Sequence, residues 1–120
     1  MLAATPPPPY YAVIFTSTRT GDNEGYAEAA ARMVELAAAQ PGFLGIESAR
    51  EGVGITVSYW ESEEAIRGWH ANAEHLEAQR QGYARWYGAF ELRVAKVERA
   101  YRFAKTASPD QSAGTAPAGR

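Results

Sequence analysis

The chain contains no cysteine. Disulfides, thiolate metal sites and a cysteine nucleophile are therefore excluded, and a reducing compartment, the cytoplasm, is the expected location. Excess charge is also lacking. Twelve Lys and Arg against 14 Asp and Glu leave a net charge of −2, too little to hold DNA or an anionic membrane surface. No run approaches the roughly 20 apolar residues of a membrane span, and no basic stretch followed by an apolar one marks a leader. Neither a GxGxxG nor a P-loop pattern occurs, so nucleotide phosphate binding has no support. There is no HExxH and no nucleophile elbow.

What is present suits one domain: 120 residues, 46% of them hydrophobic. The ends differ from the middle. Residues 1–9 carry the run Pro6-Pro7-Pro8-Pro9, which favours polyproline II and cannot donate backbone hydrogen bonds. From Thr106 to Arg120 the chain is mostly Ser, Pro, Gly, Ala and Thr, which cannot offset its ordering entropy. The expected organisation is an N-terminal extension (1–9), a folded domain (10–103) and a disordered tail (104–120).

Within the domain, Tyr11 to Ser17 reads as a strand, rich in β-branched and aromatic residues. Tyr26 to Gln40 reads as an Ala-rich helix ended by Pro41-Gly42. Phe43 to Arg50 and Ile55 to Trp60 are strands joined by Glu51-Gly52-Val53-Gly54. Ser62 is an N-cap before acidic Glu63 and Glu64, opening a helix to about Gln81 with Gly82 as its stop. Trp86 to Phe103 is a long fourth strand. The order βαββαβ is that of an α+β, ferredoxin-like fold.

The strand patterns predict a partner. A sheet covered by helices on one face should be polar on the other. The first strand instead puts Tyr11, Val13 and Phe15 on one face and Ala12 and Ile14 on the other. A second copy of the chain is the simplest cover, so a homodimer is expected. In the fourth strand the apolar phase slips between Val94 and Val97, which predicts a bulge near Ala95-Lys96 and a second half reaching the partner's sheet.

The second helix carries the candidate chemistry. Read as one continuous helix, its buried stripe is Ala65, Ile66, Trp69, Ala73 and Leu76, with His70 and His75 on opposite flanks. Their i, i+5 spacing excludes a shared zinc on one face. His75, near Gln79 at the stripe's edge, is the candidate base. Trp69, Tyr59, Trp86 and Tyr87, with Asn72 and Gln79, are candidates to line a pocket for a flat aromatic molecule. Arg80 is the candidate stabiliser of a developing oxyanion.

The phrases PGFLGIES (Pro41 to Ser48), GITVSYWESEEAIRGWHANAEH (Gly54 to His75) and AQRQG (Ala78 to Gly82), followed by Trp86-Tyr87, resemble the antibiotic biosynthesis monooxygenase superfamily. The resemblance spans about Tyr10 to Tyr101. It implies a dimeric α+β barrel with a pocket between sheet and helices in each subunit. It also implies one of three activities: cofactor-free oxygenation of quinols, phenols or anthrones, haem degradation, or none. The haem-degrading branch uses a helical tryptophan, which Trp69 matches. It uses a histidine ten residues later, where Gln79 stands, and an asparagine on the first strand, where Thr16 or Ser17 stands. His75 lies one turn before Gln79. These departures favour a site without haem or metal, filled by a small aromatic substrate.

Overall fold

A computed structural model describes residues 2–105; most of the expected tail falls outside them. The elements are β1 (Tyr10–Arg19), α1 (Tyr26–Ala38), β2 (Phe43–Glu51), β3 (Val53–Trp60), α2 (Glu63–His70), α3 (Ala73–Gln81) and β4 (Tyr87–Val97). A single π-helical turn, Gly82–Trp86, joins α3 to β4. The four strands form one antiparallel sheet in the order β2-β3-β1-β4. This is the ferredoxin-like α+β fold. None of the described helices is long and apolar enough to cross a membrane.

Register decides which residues face the helices. Tyr11, Val13, Phe15 and Ser17 of β1 lie opposite Trp60, Ser58, Thr56 and Gly54 of β3. On the other side they lie opposite Lys96, Val94, Leu92 and Phe90 of β4. Val13 and Trp60 join Ala37, Ile66 and Trp69 in the buried core, so this is the helix side. Trp60 is fully buried. An indole of that size removes enough surface from water for about 4–6 kcal/mol of gross stabilisation. Its N–H donates to Ser58 Oγ at 2.9 Å, which satisfies both buried polar atoms.

The second helix is not continuous. Ser62 caps α2 as expected, accepting from the Ala65 N–H. But α2 closes at Ala71, and Asn72 turns extended (φ −63°, ψ 128°) and caps α3 by accepting from the His75 N–H at 3.0 Å. An asparagine whose side chain can hold the next turn's amide competes with helix continuation. The break rotates everything beyond it. Leu76, expected in the buried stripe, is half exposed, and His70 and His75, expected on opposite flanks, have ring centroids 5.6 Å apart.

The fourth strand is also corrected. Its pairing with β1 runs unbroken from Val97 to Ala89, so there is no bulge at Ala95-Lys96. The irregularity is at Gly88, where Arg19 pairs with Tyr87 directly after Thr18 pairs with Ala89. The strand stops at Val97, and 98–105 have no regular structure. Only Gly52, at φ +81°, separates β2 from β3, so Val53 belongs to the strand.

The N-terminal extension lies on the open face of the sheet rather than free of it. The Ala3 N–H donates to the Glu47 carboxylate at 2.8 Å, and Thr5 Oγ1 donates to the Tyr10 hydroxyl. A Cβ on Gly45 would clash with Ala3. Gly45 and Glu47 sit opposite Tyr59 and Val57, whose parity is opposite to Trp60 and Ser58. A polyproline-type segment has no internal hydrogen bonds, so its amides and carbonyls are available to the sheet's side chains. Arg102 also donates to the Ala3 carbonyl, tying the two ends of the described chain.

Candidate functional site

Two aromatic groups occupy the helix side of the sheet. The first is built on the end of α2. Trp69 stacks near Trp60 (6.1 Å between centroids) and against His75 (4.0 Å, 17° between planes). The helix break makes the second contact possible, because it folds the first turn of α3 back toward Trp69. His75 Nδ1 lies 3.1 Å from the Trp69 carbonyl oxygen. That oxygen only accepts, so Nδ1 carries the proton and Nε2 the lone pair. Burial pushes the His75 pKa below its ordinary value; the hydrogen bond to Trp69 opposes this, and the nearby His70 adds to the lowering. Burial also lowers His70. His75 is therefore a neutral imidazole of fixed tautomer at pH 7.

The second group lies further along the same face, toward the end of β1. Phe15, two residues past Val13, meets Tyr87 at 5.3 Å and Phe90 at 5.2 Å. Tyr26, at the start of α1, packs edge-on against Tyr87 and Trp86. The extra residue Gly88 is what allows Tyr87 and Phe90 to point to one side. Trp86 is buried, and its N–H donates to the Glu24 carbonyl. Burial and a hydrogen bond shared with Tyr26 raise the Tyr87 pKa, against the pull of Arg50 and Arg19. The Tyr87 phenol thus stays protonated.

Two arginines complete this group, and neither was singled out from the sequence. The Arg19 guanidinium sits 3.4 Å over the Tyr26 ring and donates to the carbonyls of Trp86 and Asp22 and to Asn23 Oδ1. Arg50 reaches across β3 and donates to the Ser17 carbonyl (3.3 Å) and to Ser17 Oγ (2.5 Å). A signal for both was present. Arg19 continues the helix-facing series Tyr11, Val13, Phe15, Ser17, and Arg50 shares its row with Gly54 and Ser17. A charged residue at an inward position marks a site or a buried network.

The remaining candidates are dispersed. Tyr59 is on the open face, where its hydroxyl donates to Glu47 at 2.8 Å and its ring meets Tyr10. Burial and Glu47 push its pKa up to about 12. Arg80 is 72% exposed and paired with Glu77. Asn72 spends its side chain on the cap of α3. Gln79 is half-buried on α3, one turn beyond His75. The structure thus brings His75 and Trp69 together, puts Trp86 and Tyr87 in the second group, and leaves Tyr59 and Arg80 apart from both.

The residues do not fit the haem-degrading set. Thr16 faces the open side, by its pairing with Ile55, and the Ser17 hydroxyl is held by Arg50. Gln79 stands where that set has its iron ligand, and His75 is stacked flat on Trp69.

A ferredoxin-like α+β domain with aromatic groups between sheet and helices is the class defined so far. The chain belongs to the antibiotic biosynthesis monooxygenase family, whose model matches residues 9–81. It is 56% identical over 100 residues to the uncharacterized protein YqjZ of Bacillus subtilis (strain 168), covering 82% of this chain and 88% of YqjZ. Among solved structures it is similar to SnoaB, a cofactor-independent oxygenase from Streptomyces nogalater. That match has a TM-score of 0.67 and 18% identity over 78% of this chain and 97% of SnoaB. It is also similar to Rv0793 from Mycobacterium tuberculosis, with a TM-score of 0.66 and 16% identity over 76% and 98% of the two chains. At these identities the structural likeness is one of fold.

Proposed function

We propose that the protein is a cofactor-independent monooxygenase acting on a small quinol, phenol or anthrone-like substrate bound between sheet and helices. The observation that carries this reading is His75: a neutral imidazole, half-buried against Trp69, with Nδ1 anchored and Nε2 available. Family membership and the SnoaB fold support it.

The chemistry asks little else of the protein. His75 Nε2 takes a proton from the electron-rich substrate, and the resulting carbanion passes electrons to O2. At an anthrone-like methylene one oxygen atom stays on the ring carbon. The other leaves as water with the two hydrogens that carbon loses, one of them returned by His75. The neighbouring indole and Tyr87 keep water away from the anion, and Gln79, on the His75 side of α3, contributes a polar contact.

Oxygen uptake with a panel of quinols and anthrones tests this. His75→Ala is expected to lower turnover by about 10²–10⁴-fold, the usual contribution of a positioned base. Unchanged turnover removes His75 from that role. A ligand-induced rise in Tm without oxygen consumption would assign the protein to non-enzymatic binding instead.

We also propose that it works as a homodimer through the open face of the sheet. Val53 and Ile55 are 49% and 46% exposed there. With Ala49, Arg50 and Glu51 they line a shallow groove of about 270 Å³. Residues 98–105 leave the sheet after Val97 with Tyr101 and Phe103 exposed, which supports a reading in which they reach a second copy.

A further inference from the structure

We propose that His70 and His75 together form a binding site for a first-row divalent cation, Cu²⁺ or Zn²⁺, at the corner where α2 meets α3. The binding rests on the geometry of the pair alone. Its effect on turnover rests on the reading of His75 as the base.

On a straight helix the i, i+5 spacing would keep the two imidazoles on different faces. The chain is not straight there. α2 ends at His70, Asn72 turns extended, and His75 lies in the first turn of α3. The premise on which a shared ion was excluded therefore does not hold. The corner brings the rings to 5.6 Å between centroids, tilted by 53°. A metal bound to an imidazole nitrogen at about 2.0–2.1 Å lies roughly 3.2 Å from that ring's centroid. Two such rings at the observed separation, with their nitrogens turned to a common point, subtend about 120° at the ion. That is near the tetrahedral angle of zinc sites.

The ligand atoms are prepared. His75 donates Nδ1–H to the Trp69 carbonyl oxygen at 3.1 Å, the outer contact that metal-bound histidines commonly make. It fixes the tautomer and leaves the Nε2 lone pair for a cation. Stacking on Trp69 at 4.0 Å holds the ring plane, and with it the direction of that lone pair. Among the described residues neither His75 Nε2 nor the His70 ring has a hydrogen-bond partner, and no unpaired side-chain nitrogen is sealed from water. These nitrogens therefore reach solvent, from which an ion arrives. Burial keeps both rings neutral at pH 7, so a cation has no proton to displace.

The surroundings select the class of ion. Two imidazoles suit copper and zinc, whereas Mg²⁺ and Ca²⁺ need oxygen ligands. The carboxylates of α3 are spent elsewhere: Glu74 on Arg32 at 2.8 Å and Glu77 on Arg80 at 2.6 Å. Among the described residues no third histidine or acidic side chain completes a set. Water fills the remaining positions, and the ion stays exchangeable. It also takes the one nitrogen with which His75 would accept a proton, so the occupied site is a base switched off.

Titration of the full-length protein with CuCl2 and ZnCl2, without substrate, tests the site. One equivalent of Cu²⁺ per chain is expected, bound more tightly than Zn²⁺, with neither Mg²⁺ nor Ca²⁺ competing. Bound Cu²⁺ should quench Trp69, because His75 lies on its indole. Its electron paramagnetic resonance should show coupling to two imidazole nitrogens. His70→Gln and His75→Gln should each weaken binding at least tenfold and leave coupling to one nitrogen. No saturable binding, coupling to fewer than two nitrogens in the native protein, or an affinity unchanged in either variant overturns the proposal. The nitrogen count, read on the native protein, decides the matter if a variant does not fold. Where oxygen uptake is observed, ZnCl2 should inhibit it, and His70→Gln should need at least tenfold more zinc for the same inhibition. Metal binding in a protein that consumes no oxygen on any substrate would overturn the oxygenase reading and leave this site standing.

Discussion

At pH 7 the imidazole of His75 is uncharged because it is stacked on one indole and surrendered one nitrogen to a backbone carbonyl. His70 is shifted the same way by burial. Both pKa values lie below the ordinary 6.5 of an unfolded histidine. On acidification the unfolded chain therefore takes up protons first. The stability these neutral rings provide is complete above about pH 6.5 and is lost as pH falls through that value toward the lowered folded pKa values. Urea midpoints should accordingly drop between pH 7.5 and pH 5, and the drop should shrink in His75→Phe. A midpoint independent of pH in the native protein would contradict the burial of these rings. The sequence placed Trp69 and His75 on the same helix, but set His70 and His75 on opposite flanks, because a helical wheel assumes a continuous helix. It did not find Arg50 at all. A long side chain acts several residues away from its backbone, and only the cross-strand register shows that Gly54 clears its path.

Elements were legible where local chemistry and burial agree. The Ala-rich α1, the strands β1 to β3 and the Ser62 cap all form where propensity and pattern place them. The reading failed at Asn72, where a single side chain outweighs the periodicity around it. Asn72→Ala removes the acceptor for the His75 N–H, and the loss of such a cap costs about 1 kcal/mol. The same change should loosen the His75–Trp69 stack. Near-ultraviolet circular dichroism of the tryptophans reads the stack, and thermal unfolding reads the cap; an unaltered spectrum and Tm would mean the break is held by something other than Asn72. The end of β4 was misplaced for a different reason. Alternation continues past Val97 in the sequence, but β1, its neighbour, begins at Tyr10, and a strand without a neighbour to bond is not a strand.

At the scale of the whole molecule, the two-faced apolar pattern of the strands was readable and the N-terminal cover was not. A proline run carries no periodicity that would tie it to a sheet, yet Ala3 and Thr5 bind Glu47 and Tyr10. Sedimentation velocity at micromolar concentration is expected to show a dimer; a stable monomer would overturn that assembly. The contacts of residues 2–9 bear on how the proposed dimer is expected to respond to dilution. A segment tethered at Tyr10 occupies its part of the open face at an effective concentration in the millimolar range, far above that of any second copy in solution. If the open face is the dimer seam, as proposed, the strap and the partner are rivals for the Gly45–Glu47–Tyr59 end. Removing residues 1–9 should tighten the dimer, and a weaker dimer would show instead that the strap is part of the seam. In the proposed dimer the chain would carry its own competitive ligand for the association surface, and a tag fused at this end is expected to alter assembly.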